Sequence, residues 1–278
     1  MSTTTASVES WSGKDRGDEN FPVGSLLIRR SLRPHVHAYY AFARNADDIA
    51  DSPALLPEDK VSRLDRMEAV LLGRAEGGSP SAARLRVSLA ETGVAPRHAT
   101  DLLVAFRRDA TKRRYASWDE LLDYCRFSAM PVGRHVLALH GEDEGTWHAS
   151  DPLCAALQVL NHLQDGKKDL AALDRCYLPA SLLDEAGIGA EALAAPAAVP
   201  GLRWVFDRLL DRVDALNGAG ADLPRRVRDR RLRLETAVIS GLSRRLARRL
   251  RGADPVAGRV GLTKGDVAAA LAGAARFL

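Results

Sequence analysis

Apolar and polar positions alternate with helical spacing along almost the whole chain. The apolar run VHAYYAFA, residues 36 to 43, leads into NADDIADS, where Asp47, Asp48 and Asp51 stand close together. Pro34 suits the first turn of a helix running through Asp51, because a proline there gives up no intrahelical N–H bond. Pro57 opens a second helix over PEDKVSRLDRMEAVLL with Gly73 behind it, and Ser79-Pro80 opens a third that closes near Gly93. Ser117-Trp118-Asp119-Glu120 has capping-box spacing and starts a helix that Pro131 should kink or break. Asp151-Pro152 begins the segment holding the apolar run LCAALQVL and then NHLQDGKKD, residues 161 to 169. Residues 186 to 201, rich in Ala, Gly and Pro, read as a loop with a short helix. Longer helices are expected over 202–216 and 222–251, and Thr263 caps a last one. Strand signals are nearly absent, and no repeat or linker divides the chain. The pattern predicts one all-α domain, a helical bundle.

Composition supports this reading. Ala, Leu and Arg dominate and aromatics make up 5%, which favours helices over strands. With 278 residues, 46% of them hydrophobic, the chain can bury one large core. Cys125, Cys154 and Cys176 lack metal-ligand spacing and cannot all pair, so free thiols in a reducing compartment are expected. No apolar run is long enough to span a bilayer. Residues 1–18 lack the apolar core of a signal peptide and read as a disordered tail, leaving 19–278 as the domain. A cytoplasmic location is the resulting expectation.

Charge changes the picture little. The formal net charge is +4, and much of the Arg excess lies in PRRVRDRRLRLE and SRRLARRLR. Such runs either attract anionic lipid or form the solvated face of a long helix. No aromatic residues interleave with them as a nucleic-acid groove would need, so no nucleic-acid partner is expected.

The acidic clusters carry the candidate chemistry. At 100° per residue, Tyr40, Arg44, Asp47 and Asp51 fall within about 60° of one another, with Asp48 at the edge of the stripe. Asn161, Asp165 and Asp169 are spaced by four on one ridge, and Gln158 lies a turn earlier on nearly the same side. Carboxylates this close raise one another's pKa, and a divalent cation relieves the repulsion. Mg2+ prefers an oxygen shell that it shares with substrate phosphates. Two such helices facing each other would hold Mg2+ around one diphosphate and neutralise it as it leaves carbon. The plainer alternative is ordinary pairing along each helix, Arg44 with Asp48 and Asp165 with Lys168. A protein-only di-iron site is excluded, since no His stands three residues after a Glu.

Tyr-x-x-x-Arg-x-x-Asp-Asp-x-x-Asp followed by Gln-x-x-Asn-x-x-x-Asp-x-x-x-Asp resembles the squalene/phytoene synthases. Asp109, Arg114-Tyr115, WDEL at 118–121, Tyr124-Cys125, Val132-Gly133 and Tyr177-Leu178-Pro179 follow in that family's order. FPVGSLL at 21–27, NHLQDGKKD and LDRCYLP at 173–179 resemble its hydroxysqualene synthase branch in hopanoid biosynthesis. Gln164 before Asp165, with Lys167-Lys168 after it, departs from the phytoene and presqualene diphosphate synthase pattern.

The resemblance implies an isoprenoid-synthase bundle around a central apolar cavity. It implies that presqualene diphosphate ionises, rearranges and is captured by water, with no NADPH. Metal ligands would be Asp47, Asp51, Asn161, Asp165 and Asp169, holding about two or three Mg2+ ions. Arg44, Ser25, Arg33, Gln158 and Asp48 would bind substrate. Tyr40, Tyr124 and Tyr177 would face the carbocation, since a desolvated ring face stabilises a cation by about 2 kcal/mol. Leu121, Phe127, Met130, Leu157 and Val159 are the expected cavity lining. His162, Gln158, Gln164 and His135 are the open choices for holding the capturing water. The same resemblance admits synthases of presqualene diphosphate, squalene or phytoene, and non-catalytic assembly factors. It also raises contact with a membrane surface and with other hopanoid-pathway enzymes.

Overall fold

A computed structural model of the chain describes residues 7–9 and 27–278. Ser25 and most of the expected tail lie outside the described residues. Residues 7–9 depart from the tail reading. The Glu9 carboxylate accepts from Ser79 Oγ, Ser81 N and Ser81 Oγ at 2.6 to 2.8 Å, and Arg63 holds the Val8 carbonyl at 2.9 Å. A carboxylate on unsatisfied N–H groups at a helix start offsets the helix dipole.

The described residues form helices α1 (Arg33–Asp51), α2 (Pro57–Leu71), α3 (Pro80–Thr92), α4 (Arg97–Asp109), α5 (Trp118–Ser128), α6 (Met130–Leu139), α7 (Trp147–Leu173), α8 (Ala180–Glu185), α9 (Pro200–Ala219), α10 (Leu223–Arg226), α11 (Arg230–Gly252) and α12 (Lys264–Ala274). The all-α expectation holds, and most helix ends follow the local signals. Ser79 caps α3 through Ala82 N, Gly93 ends it with φ +70°, and Thr263 with Asp266 forms a full capping box on α12. Pro131 does break its helix, separating α5 from α6 at Ala129.

Four local expectations need correction. Helix α4 was not anticipated, although His98, Ala99, Leu102, Leu103 and Ala105 bury one face of it; its start has no side-chain cap to announce it. Helix α7 begins at Trp147 rather than Asp151, with Pro152 inside. As the sixth residue of the helix, Pro152 forfeits one intrahelical bond, the one that would reach the His148 carbonyl. The helix expected over 222–251 divides, because Val227 is extended and Asp229 recaps the chain by accepting from Arg231 N and Leu232 N. Glu120 bonds Ala116 N and Lys112 rather than the Ser117 N–H, so only half of that capping box forms.

One short parallel pairing joins β1 (Arg114–Tyr115) to β2 (Cys176–Pro179), with Arg114 opposite Cys176. It ties the segment after α4 to the segment after α7. Two apolar cores flank the centre: α1 to α4 pack around Phe42, Leu64 and Leu103, while α5, α7, α9 and α11 pack around Leu160, Phe206 and Leu246.

Helices α6 and α7 touch at Gly133, where an added Cβ would lie 2.5 Å from Cys154 Sγ and 2.6 Å from Ser150 Oγ. Gly133→Ala is therefore expected to lose about 1 to 2 kcal/mol in urea unfolding, after about 1 kcal/mol of gained helix propensity. An unchanged midpoint would mean that this helix contact is loose.

Candidate active site

A largely apolar cavity of about 360 Å³ is walled by α1, α6, α7 and α11. Helix α1 contributes Val36, Tyr39, Tyr40 and Ala43, and α7 contributes Leu157, Gln158 and Asn161 among others. In both helices the cavity residues come first and the acidic residues follow toward the C-terminus.

The two acidic ends come within electrostatic reach of each other. Asp51 Oδ1 lies 3.0 Å from Arg175, which follows α7 directly. Burial, then Asp165 and Asp51, push the Asp169 carboxyl up to about 7. Burial, then Asp51, push Asp47 up to about 8, against the pull of Arg44 at 3.2 Å. Asp109, at the end of α4, is raised to about 7 by burial, with Arg175 and the Tyr124 hydroxyl pulling it down. Carboxylates at helix C-termini also oppose the helix dipoles. Negative charge thus accumulates where three helices end.

Two cations that sequence reasoning did not assign sit among these acids. Arg175 is 2% exposed; it donates to Asp51 at 3.0 Å, to the Asp109 carbonyl at 2.8 Å and to the Tyr177 hydroxyl at 3.1 Å. Burial works against its charge, and Asp109 and Asp51 outweigh that and hold its pKa up. Lys60, buried on α2, donates to the Ala50 carbonyl at 2.8 Å and closes the end of α1. The sequence hints at Arg175 only in LDRCYLP, where its charge directly precedes the apolar run Cys176-Tyr177-Leu178.

The expected ligand residues Asp47, Asp51, Asp165 and Asp169 share this acidic end, and Asn161 stands at its junction with the cavity. Among the described residues, no three His, Cys, Asp or Glu side chains are already gathered as a metal cage. The donor set nonetheless fits Mg2+. It is all oxygen, its charge is undercompensated, and Mg2+ sites commonly use one or two carboxylates and complete the shell with water and substrate phosphate.

Other expectations shift. Asp48 is not among the residues lining the cavity; its buried carboxylate accepts from Arg44 at 2.6 and 3.1 Å. Arg33 donates to the Ile28 carbonyl at 3.0 Å and braces the turn before α1. Tyr40 and Gln158 line the cavity as expected. Tyr124 and Tyr177 do not. Tyr124 donates to Asp109 at 2.8 Å, and Tyr177 stacks on His162 with centroids 3.5 Å apart. Their rings pack with that of Tyr115, and the Tyr124 and Tyr177 hydroxyls meet the buried charges of Asp109 and Arg175. Of the expected apolar lining, Leu157 is in the wall, whereas Leu121 and Val159 are buried in the α5–α7–α9–α11 core, with Phe127 and Met130 packed against it. Cavity and core lie on opposite faces of the same helices, and spacing within one helix does not reveal which face meets which.

Several of the C-terminal arginines are paired. Arg249 and Arg245 reach Asp266, and Arg251 reaches Asp211 and Asp214. This favours the solvated-face reading over a dedicated anion-binding surface. No helix among the described residues is long and apolar enough to cross a membrane.

A squalene/phytoene synthase family model matches residues 14–266. The hydroxysqualene synthase of Rhodopseudomonas palustris is 49% identical over 93% of this chain and 88% of its own length. That of Sinorhizobium fredii is 46% identical, covering 88% of this chain and 84% of its own. Among solved structures, the squalene synthase HpnC from Alicyclobacillus acidocaldarius superimposes with a TM-score of 0.74 at 34% identity, over 85% of this chain and 90% of that one. A dehydrosqualene synthase shares the fold, with a TM-score of 0.81 at 18% identity over 94% of this chain and 92% of its own. Matched motifs, matched length and matched helical architecture agree: the chain belongs to the squalene/phytoene synthase family.

Proposed function

We propose that this chain is a hydroxysqualene synthase, releasing diphosphate from presqualene diphosphate and delivering a hydroxylated C30 product. The observation that carries the reading is the continuity of the two ridges: on both α1 and α7 an apolar cavity wall runs directly into carboxylates that share one field. The relatives named hydroxysqualene synthase, at 46 to 49% identity over most of the chain, support the same reading.

In this mechanism the hydrocarbon chains lie along the cavity, with the diphosphate at the acidic end. Asp47, Asp51, Asn161, Asp165 and Asp169 would hold Mg2+, which supplies positive charge to the departing diphosphate. Arg44, held in place by Asp48, presents a planar fork of donors to phosphate oxygens. Arg175 sits where it can add positive charge to the same anion while keeping Asp51 oriented. Tyr40 offers its ring to the cation at the cavity wall. The apolar lining excludes stray water until rearrangement is complete. Both substrate and product are largely hydrocarbon, which favours exchange at a membrane surface; equal liposome partitioning at low and high salt would leave charge attraction no role in that contact.

Purified protein incubated with presqualene diphosphate is expected to release diphosphate and form hydroxysqualene, only with Mg2+ present. Farnesyl diphosphate is expected to give little turnover. Turnover of farnesyl diphosphate instead would make the chain a head-to-head prenyl transferase of the same fold. No diphosphate release from any prenyl substrate would favour a non-catalytic partner protein.

A further inference from the structure

The proposed reaction requires one water inside an apolar cavity, admitted to a single place. The cavity wall shows where such a water finds partners. His135, on α6, is 1% exposed and lines the cavity. Its ring stacks on Tyr39, with centroids 3.8 Å apart and planes 10° apart, which fixes its orientation. Neither of its ring nitrogens has a hydrogen-bond partner. The Ser128 hydroxyl, at the end of α5, is also buried, also without a partner, and belongs to the same wall.

Two orphaned polar groups on one cavity are uncommon, because roughly 90% or more of buried polar groups are hydrogen-bonded to protein or ordered water. A buried water typically needs about two to four polar partners. Besides His135 and Ser128, the wall offers Ser150 from α7 and Glu235 and Thr236 from α11. The other residues open for this role are engaged elsewhere. His162 stacks on Tyr177 and bonds Gln158 at 3.3 Å, and Gln164 donates to the Val260 carbonyl at 2.6 Å.

We propose that His135 holds the water that captures the rearranged cation, an inference that rests on the functional reading above. The C–O bond to diphosphate breaks with its electron pair leaving on the diphosphate. After rearrangement, a lone pair of the held water forms the new C–O bond. The oxonium so formed loses one proton to the bare ring nitrogen of His135, and the proton passes on to the departing diphosphate. Burial, then His98 and His35, push the His135 imidazole down to about 3. The ring is therefore neutral at pH 7, keeps one acceptor nitrogen, and does not repel the cation.

Two readouts test the proposal. A crystal structure of the full chain is expected to show an ordered water within hydrogen-bond distance of a His135 nitrogen; a dry wall there overturns it. His135→Phe keeps a ring against Tyr39 and removes both nitrogens. Per diphosphate released from presqualene diphosphate, the alcohol is expected to fall about tenfold or more, replaced by hydrocarbons formed through proton loss. His135→Gln, which can still hold a water, is expected to recover part of the alcohol. A wild-type product ratio in His135→Phe overturns the proposal; if that variant does not fold by circular dichroism, a wild-type ratio in His135→Leu does so instead. If the wild-type protein releases no diphosphate from presqualene diphosphate, the functional reading fails, and the crystallographic water alone decides whether His135 holds one.

Discussion

Replacing Asp47 with alanine is expected to lower Mg2+-dependent diphosphate release by about a thousandfold or more, the loss of several kcal/mol of charge stabilisation at the leaving group. The same substitution is expected to stabilise the metal-free protein at alkaline pH. Burial and Asp51 raise the Asp47 carboxyl to about 8, from an ordinary value of 3.8. The folded state therefore binds more protons than the unfolded state between about pH 4 and pH 8, and stability falls as pH rises through that window. Without the carboxyl, this part of the pH slope disappears, a gain of about 1 kcal/mol at pH 8 once partial exposure is allowed for. Thermal unfolding of wild type and variant at pH 5.5 and pH 8, with and without Mg2+, reads both effects. Lost activity with an unchanged slope would keep Asp47 as a ligand and remove the charge-crowding account. A wild-type rate would remove it from the ligand set.

Arg175→Met should be the most destabilising single change at the site, by about 3 to 5 kcal/mol, because it strands buried charge that was paired. The side chain bridges three elements, joining Asp51 on α1, the Asp109 carbonyl on α4 and Tyr177 on β2. Asp109 already lies near pH 7, so in the variant it can be protonated at pH 5.5 and less readily at pH 8. The stability deficit is accordingly expected to grow with pH, measured as urea midpoints at the two values. Arg175→Lys keeps the charge and loses the planar fork that serves three acceptors, so it should recover only part of the stability and activity. An equal deficit at both pH values would show that lost packing, rather than the Asp109 charge, dominates.

Much of the site was readable before any coordinates. Tyr40, Arg44, Asp47 and Asp51 share a stripe because helical periodicity is a local property of eighteen or so consecutive residues. The same holds for Gln158, Asn161, Asp165 and Asp169. The turn chemistry at Ser79, Gly93, Pro131 and Thr263 was equally local, and the structure follows it. Where local signals were weak, at the uncapped start of α4, the reading missed the element.

What spacing within a helix cannot contain is the identity of the neighbour across the gap. Arg175 meets Asp51 across 124 positions and the Asp109 carbonyl across 66. No window short enough to show a period spans such distances. The assignment of Tyr124 and Tyr177 to buried charge rather than the cavity, of Val159 to the core and Leu157 to the wall, and of His135 to an orphaned position all follow from how helices pack face to face. From sequence alone came the helices, their chemistry-bearing ridges and the kinship of the motifs, since each depends on neighbours along the chain. Only the tertiary structure decided which ridges share a field and which polar atoms are left without partners, since burial and electrostatics act through space.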